Sequence, residues 1–363
     1  MGVTLNEIAK AAGVSRGTVD RALNNRGRIH PQVAERIRHI AEEMGYTPNA
    51  NARALALTSH RRKFGVILQF IETPFIQEVL RGIMTATEEF LQYGIEVEII
   101  RIEGMDSDQA VTHMKRLYDE KVSGIILVGN NDSALRREID TCKKADIDVV
   151  TVNSDVPSSH RKFFIGQNAY GSGQTAASVM ADLLGGKGSV IVYYGLDSTI
   201  HSERIRGFRD IISRRYKDIH IIEEKKTGNS RETLARMANA SLDMHPDVNG
   251  IYLCGEGSIE LCNILKERSL SSNIHLILHD LAACRSEDIL DRTIDYVIDD
   301  DGFGQGFMSL YLLSLWHYNK REPDQKYYYT DIRIINAYNY QFSLSSEFSR
   351  QFQQVKAISA VHT

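Results

Sequence analysis

Arg16 and Arg21 stand on a stretch, residues 16–24, in which only Val19, Ala22 and Leu23 suit an interior. Wound as a helix, the stretch leaves Arg16, Gly17, Thr18, Asp20 and Arg21 outside. A guanidinium donates two parallel hydrogen bonds to the edge of guanine, so such a face fits the major groove of DNA. Asp20 can pair with Arg16 one helical turn away and hold that guanidinium in place. Patterns for catalysis are missing. The chain has no P-loop, no H-E-x-x-H, no G-x-S-x-G and no Asp-x-Gly-x-Thr. Gly302-Phe303-Gly304-Gln305-Gly306 is half a dinucleotide fingerprint without its last spaced glycine, and His201, His275 and His279 lack metal-ligand spacing. No catalytic residue, metal or cofactor is expected.

Three short helices are expected to position the arginine face. Thr4 with Glu7 forms a capping box, and Leu5, Ile8, Ala9 and Ala12 follow on one apolar face. Gly13 breaks the first helix, Val14 packs, and Ser15 caps the second. Pro31 opens a third, whose inner face is expected to be Val33, Ile37, Ile40, Ala41 and Met44, ended by Gly45. Helix, glycine-containing turn, then a helix with basic and small polar residues outward is the helix-turn-helix arrangement.

The remaining three hundred residues form a different body. A chain of 363 residues exceeds one ordinary domain. Its 42% hydrophobic and 25% charged residues describe a soluble globular protein and exclude a disordered or collagen-like one. No apolar run approaches the ~20 residues of a membrane span. The start, MGVTLNEIAK, lacks the basic and apolar regions of an export signal, and Asn6 breaks the myristoylation pattern, so a cytoplasmic protein is expected. Cys142, Cys254, Cys262 and Cys284 contain no C-x-x-C and read as reduced thiols. Charge is divided unevenly: residues 1–62 carry ten Lys and Arg against five Asp and Glu, and the rest is net acidic. Only the head is suited to a polyanion.

After the basic run 60–63, apolar runs read as buried parallel strands at 64–69, 96–102, 124–128, 149–152, 189–193, 219–223, 250–253, 274–278 and 296–298. Amphipathic helices lie between most of them. So many strand–helix units call for two doubly wound α/β lobes with a cleft at the carboxyl ends of their strands.

The string TLNEIAKAAGVSRGTVDRALNNRGRIHPQVAERIRHIAEEMGYTPNANARAL closely resembles the headpiece of the lactose-repressor (LacI/GalR) family of bacterial transcription regulators. The resemblance implies that Arg16, Gly17 and Arg21 read base edges, while Ser15, Thr18, Asn24 and Arg28 touch phosphates. The segment 49–56, with Asn51 and Ala52, matches the family's hinge helix, which forms on the operator, and Leu55 falls where a leucine wedges into the minor groove. A short alanine-rich segment is marginal as a helix alone, in keeping with ordering on DNA. Gly17 supplies no side chain and Asp20 replaces the family's usual serine, so operator sequence does not carry over from relatives.

The body resembles the type I periplasmic-binding-protein-like effector domain of the same family over residues 64–342. That resemblance places ligand contacts at Thr73 and Phe75 in FIETPF, Asn153 in NSDVPSS, and Gln167 and Asn168 in FIGQNAYGSGQ. It adds Ser202 and Arg204 in HSERIRGF, Glu256 in CGEG, Asp280 in LILHDL and Asp300 in VIDDDGFGQG. Ser202 stands where sugar-binding relatives often have arginine and Asp300 where many have glutamine, which makes the pocket more acidic than usual. Polar amides and carboxylates beside an aromatic wall suit a neutral or amine-bearing sugar or polyol.

The expected organisation is a headpiece at 1–47, hinge helix and linker at 48–62, a ligand-sensing domain at 63–342 and an unassigned tail at 343–363. The expected function is a DNA-binding transcription regulator, a repressor, whose operator affinity follows a small effector held between the lobes. A homodimer would present two headpieces to a near-palindrome. An enzyme, or a transport-type sugar-binding protein, fused to a DNA-binding head is the competing reading.

Overall fold

The computed structural model describes residues 3–23, 29–45, 61–91, 94–196, 198–319 and 323–344. The chain divides between Arg61 and Arg62 into two compact units.

The first unit is a trio of helices: α1 (Leu5–Ala12), α2 (Arg16–Leu23) and α3 (Pro31–Glu43). The capping box forms, with Thr4 N–H donating to Glu7 Oε2 (2.7 Å) and Glu7 N–H to Thr4 Oγ1 (3.4 Å). Gly13 takes the left-handed conformation (φ 66°) that turns the chain out of α1. Ser15 Oγ then accepts from Thr18 N–H (3.2 Å) at the start of α2. Ile8, Ala9, Ala12, Val19, Ala22, Ala34, Ile37 and Ala41 form the core. One expectation is corrected: Val33 is 36% exposed, and Ala34 takes its place. Val33 falls at the rim of the contact stripe of α3, and a small residue at 34 lets the helices approach.

The second unit contains two six-stranded sheets. The first has the order β11-β5-β4-β3-β1-β2 and every pairing parallel, with β1 (Arg62–Leu68), β2 (Ile95–Arg101), β3 (Gly124–Leu127), β4 (Asp148–Val152), β5 (Phe163–Gln167) and β11 (Tyr327–Thr330). The second has the order β12-β10-β9-β8-β6-β7, with β6 (Lys187–Tyr194), β7 (Asp218–Lys226), β8 (Gly250–Cys254), β9 (His275–His279), β10 (Tyr296–Asp299) and a single antiparallel strand, β12 (Arg333–Ile335). β3, β4, β5 and β8 are buried along their whole length, which is why they read as continuous apolar runs. The edge strands β2 and β7 keep Glu and Lys in exposed positions.

Helices α4 (Pro74–Leu91), α5 (Ser107–Asp119), α6 (Ser133–Lys144) and α12 (Gly302–Asn319) belong to the first lobe. Helices α7 (Ala169–Leu183), α8 (Thr199–Arg215), α9 (Arg231–Met244), α10 (Ser258–Glu267) and α11 (Ser286–Leu290) belong to the second, with α13 (Tyr340–Leu344) closing the described chain. The chain passes between lobes three times: from β5 to α7, from β10 to α12, and from β11 to β12. Close helix contact is made by glycine in each lobe. A Cβ at Gly306 would stand 2.0 Å from Val79 O, and one at Gly173 would stand 1.9 Å from Arg204 O. The second contact fixes the turn of α8 that bears Arg204.

The expected two-lobed α/β body is present, and nine strands fall where apolar runs placed them, with ends shifted by at most three residues. Three strands were not expected. β5 overlaps FIGQNAYGSGQ, which was read for its ligand contacts, and β11 and β12 have four and three residues, too short for a period to show.

Candidate functional site

On α2, Ser15, Arg16, Gly17 and Arg21 are exposed and Thr18 is half-buried. Val19 and Ala22 are turned into the core, so the outward face is the one the spacing called for. Ser15 Oγ and Thr18 Oγ1 are 2.9 Å apart, which ties two candidate phosphate contacts together. Arg21 Nε donates to Gly17 O (3.0 Å), steering the guanidinium back along α2. Gly17 meets only Ser15 Oγ, 3.9 Å from where a Cβ would sit, so the helix surface between the arginines is open. Asn24, Arg28, Asn51, Ala52, Leu55, the side chain of Asp20 and the hinge segment 49–56 lie outside the described residues.

In the second unit the carboxyl ends of both sheets meet at the crossovers. α4, which follows β1, touches the 3-10 turn Leu281–Ala283 that follows β9. Gln167, at the end of β5, is 2% exposed, and its Nε2 donates to Asp299 O (3.0 Å) and Asp331 O (3.3 Å). One amide thereby joins all three crossovers. Gln305 Nε2 donates to Asp300 O (2.8 Å), as does Thr330 Oγ1 (3.1 Å).

Asp300 and Arg204 form a buried ion pair, each 1% exposed. Burial works against the Asp300 charge, but Arg204 beside it prevails and holds the carboxyl below its ordinary value. Burial likewise opposes the Arg204 charge, and Asp300 followed by Asp280 overcomes it. His279 Nδ1 stands 3.7 Å from Asp300 Oδ1, and its Nε2 is 2.8 Å from the Tyr252 hydroxyl. Burial, then the charge of Arg204, lowers His279 to about 4 and His201 to about 3, so both rings are neutral.

Asp280 caps the end of β9 in an unusual conformation, φ 68° and ψ 93°. Its N–H is fixed by Ile298 O (3.1 Å), while its Oδ1 is buried with no hydrogen-bond partner. Burial, reinforced by the neighbouring Asp300, pushes its carboxyl well up. Glu256 is raised too, by burial, against the pull of Arg231 at 3.6 Å.

The structure thus brings Gln167, Arg204, Asp280 and Asp300 together, with Glu256 near enough for its charge to act on Asp280. The other expected positions are spent differently. Thr73 Oγ1 donates to Phe70 O (2.9 Å) and accepts from Ile76 N–H (3.4 Å), holding the start of α4. Phe75, 8% exposed, packs in the first-lobe core. Asn168 caps α7 through Gly171 N–H (2.9 Å). Ser202 is exposed on α8, two residues from Arg204 and so on another face. Asn153 is half-buried at the end of β4 with φ 62°.

Sequence reasoning passed over His279, Tyr252, His201 and Asn229. His201 Nδ1 accepts from Leu196 N–H (3.0 Å), and Asn229 Oδ1, buried and unpartnered, would lie 1.7 Å from a Cβ at Gly195. His279 directly precedes Asp280, a signal that was present. Tyr252 sits in a strand buried at every position, where its hydroxyl is indistinguishable from packing.

A helix-turn-helix headpiece followed by a two-lobed periplasmic-binding-protein-like body, with a charged floor at the crossovers, is the class that fold and site define. Residues 4–49 match the bacterial regulatory proteins of the lacI family, and residues 64–315 match the periplasmic binding protein domain. The chain belongs to the lacI family of bacterial regulatory proteins. It is 34% identical over 134 residues to the HTH-type transcriptional regulator MalR of Streptococcus pneumoniae, covering 35% of this chain and 39% of MalR. It is 26% identical over 236 residues to catabolite control protein A of Priestia megaterium, covering 63% of this chain and 68% of that one. The chain therefore spans less than half the length of MalR. GanP, a glucose-galactose binding protein of Geobacillus stearothermophilus, superposes with a TM-score of 0.70 at 22% identity over 77% of this chain and 99% of GanP. AraP, an arabinose binding protein of the same organism, gives 0.66 at 24% identity over 78% and 99%. At these identities the likeness shows the fold.

Proposed function

We propose that this chain is a DNA-binding transcription regulator, a repressor, that releases or grips its operator according to a sugar-like or polyol effector held between the two lobes. The outward Arg16–Thr18–Arg21 face on a packed helical trio carries the DNA half of this reading. Two headpieces of a homodimer would meet half-sites about one helical turn apart, ~34–36 Å. The effector half rests on Asp280, Asp300, Arg204 and Glu256 at the crossovers, with Gln167 joining the three chain passages and Asn153 opposite. Names among the relatives, such as the ribose operon repressor of Haemophilus influenzae and the maltose regulon regulatory protein MalI of Escherichia coli, support a sugar. Such a regulator works in the cytoplasm, where its operator is, and needs no turnover of its ligand. An effector shifts operator affinity only if it binds one lobe arrangement better than the other.

Gel-shift titration against the chain's own upstream promoter tests the proposal. Preference over random duplex is expected, with affinity falling steeply as salt rises because phosphate contacts release counterions. Arg21→Ala should cost about 1–3 kcal/mol at one base pair and relax the sequence preference there. Equal affinity for promoter and random duplex, with or without sugars, would refute the regulator reading.

A further inference from the structure

The second-lobe floor holds more acid than base once every cation is given its partner. Arg204 is paired with Asp300. Arg333 is paired with Asp299 and lies 3.5 Å from Asp301. Arg231, half exposed, lies 3.6 Å from Glu256. Neither histidine supplies charge. His201 Nδ1 is occupied as an acceptor from Leu196 N–H, which puts the ring proton on Nε2. His279 Nε2 shares a hydrogen bond with the Tyr252 hydroxyl (2.8 Å), and its Nδ1 faces Asp300 Oδ1 at 3.7 Å.

Asp280 is the remainder. Its backbone is fixed by Ile298 O and by Ala283 N–H, which donates to Asp280 O (3.0 Å). Its Oδ1 is buried and has no hydrogen-bond partner among the described residues. The same is true of Asp300 Oδ1, His279 Nδ1 and Arg204 Nε, in side chains no more than 3% exposed. These groups lie against one another at the crossovers with hydrogen-bonding capacity left over. Asp280 is half-buried and feels Arg204 only as a charge already paired with Asp300, so its enclosed oxygen is best served by keeping a proton or by receiving a positive charge of its own. From the first lobe, the charge that reaches Glu256 is that of Glu72, another acid.

We propose that the effector carries a positively charged amine and that Asp280 is the residue that selects for it. This rests on the sugar-or-polyol reading above and narrows it to the amine-bearing members. The ammonium would donate a charge-assisted hydrogen bond to Asp280 Oδ1, with the Arg204–Asp300 pair behind it as a neutral platform. Where Asp280 enters protonated, binding the ammonium transfers that proton to solvent and leaves the carboxylate paired.

Calorimetry on the full chain with matched sugars tests this: D-glucosamine against D-glucose, D-galactosamine against D-galactose, D-mannosamine against D-mannose, and the corresponding 6-phosphates and uronates. The amine member of the binding pair is expected to bind roughly tenfold or more tightly than its hydroxyl partner. Heats measured in two buffers of different ionisation enthalpy are expected to report proton release. Asp280→Asn, nearly isosteric, should abolish the preference, bringing the amine and hydroxyl partners to within about twofold of each other. A neutral or acidic member binding as tightly as its amine, or a preference that survives Asp280→Asn in folded protein, overturns the proposal. If no member of any class binds at millimolar concentration, the sugar reading falls and takes this one with it.

Discussion

The two lobes end their strands with similar residues and use them in opposite ways. In the first lobe, Gln69 at the end of β1 is fully buried and fully employed: Nε2 donates to Val128 O (2.9 Å) and Oε1 accepts from Asp106 N–H (2.8 Å). Thr73, Asp106 and Asp132 hold helix starts. In the second lobe, Arg204, Asp280, Asn229 and His279 each retain a buried polar atom with nothing to bond. Unmet hydrogen-bonding capacity in a native interior calls for an explanation, and at a cleft floor a ligand supplies one. We assign the charged part of recognition to the second lobe and leave the first as its frame. The first lobe also keeps such atoms, at Ser154 Oγ, at Gln167 Oε1 where β5 ends, and at Gln305, Ser314 and His317 on α12, but none belongs to a buried arginine–carboxylate pair like Arg204–Asp300.

The sharpest way to break that contrast is to remove the second lobe's one buried cation. Arg204→Met should destabilise the protein by about 3–5 kcal/mol, because it leaves Asp300 buried and unpaired. Arg204→Met combined with Asp300→Leu should recover most of the loss, since an apolar pair of similar volume costs little. Urea unfolding of the three variants checks both statements. A single variant within 1 kcal/mol of wild type (about a fivefold change in the folding equilibrium) would mean that water already screens the pair and that the floor is not dry.

The next effect is the pH slope that His279 contributes. Unfolded, His279 takes up a proton near its ordinary 6.5; folded, it does so only near 4. Between those values the unfolded chain binds more protons, so this residue's stability, complete above pH 6.5, is lost as pH falls towards 4. Asp280, held up, works in the opposite sense. The informative quantity is therefore the difference between wild type and His279→Gln in urea midpoints from neutral pH down to about 4. It should change with pH through that window, and a constant difference would show that His279 is hydrated.

These contrasts explain what could and could not be read from the chain. The headpiece was legible because its signals are local: Thr4 with Glu7, Gly13 and Ser15 each do within four residues what their types suggest. Strand runs were legible because buried parallel strands are apolar throughout. The ligand floor was only half legible, because a polar residue after a strand has two uses, capping the next helix or facing the cleft. Asn168 and Asp280 have the same sequence context and part company on this point. The run Asp299–Asp301 shows the difficulty best. Asp299 pairs with Arg333, Asp300 with Arg204, and Asp301 accepts from Gly304 N–H (3.0 Å) at the start of α12. Two of three identical neighbours take partners from distant parts of the chain and the third holds the helix that follows it, and no local pattern specifies which is which.

In the first lobe, Gln69→Leu should cost about 1–3 kcal/mol, the penalty of leaving Val128 C=O and Asp106 N–H without partners in the interior. Effector affinity should be unchanged within about twofold once the protein is folded. Ligand titration at a temperature well below the variant's melting point separates the two. A loss of affinity larger than the loss of stability would move Gln69 from frame to site.

Thr73 gives the smallest effect and the cleanest discrimination. Its hydroxyl donates to Phe70 O and accepts from Ile76 N–H, so both of its roles are local to the start of α4. Thr73→Ala should therefore lower stability by about 1 kcal/mol, an ordinary helix-cap loss. Thr73→Ser keeps the hydroxyl and should restore nearly all of it. If the effector instead used this hydroxyl, the alanine variant would lose affinity beyond its loss of stability, and the serine variant would recover that as well. Thermal melts with and without ligand distinguish the cases: a cap shifts both melts equally, whereas a ligand contact shrinks the gap between them. An unshrunken gap leaves the first lobe as frame, with the ligand's polar contacts concentrated on the wall that ends in Asp280.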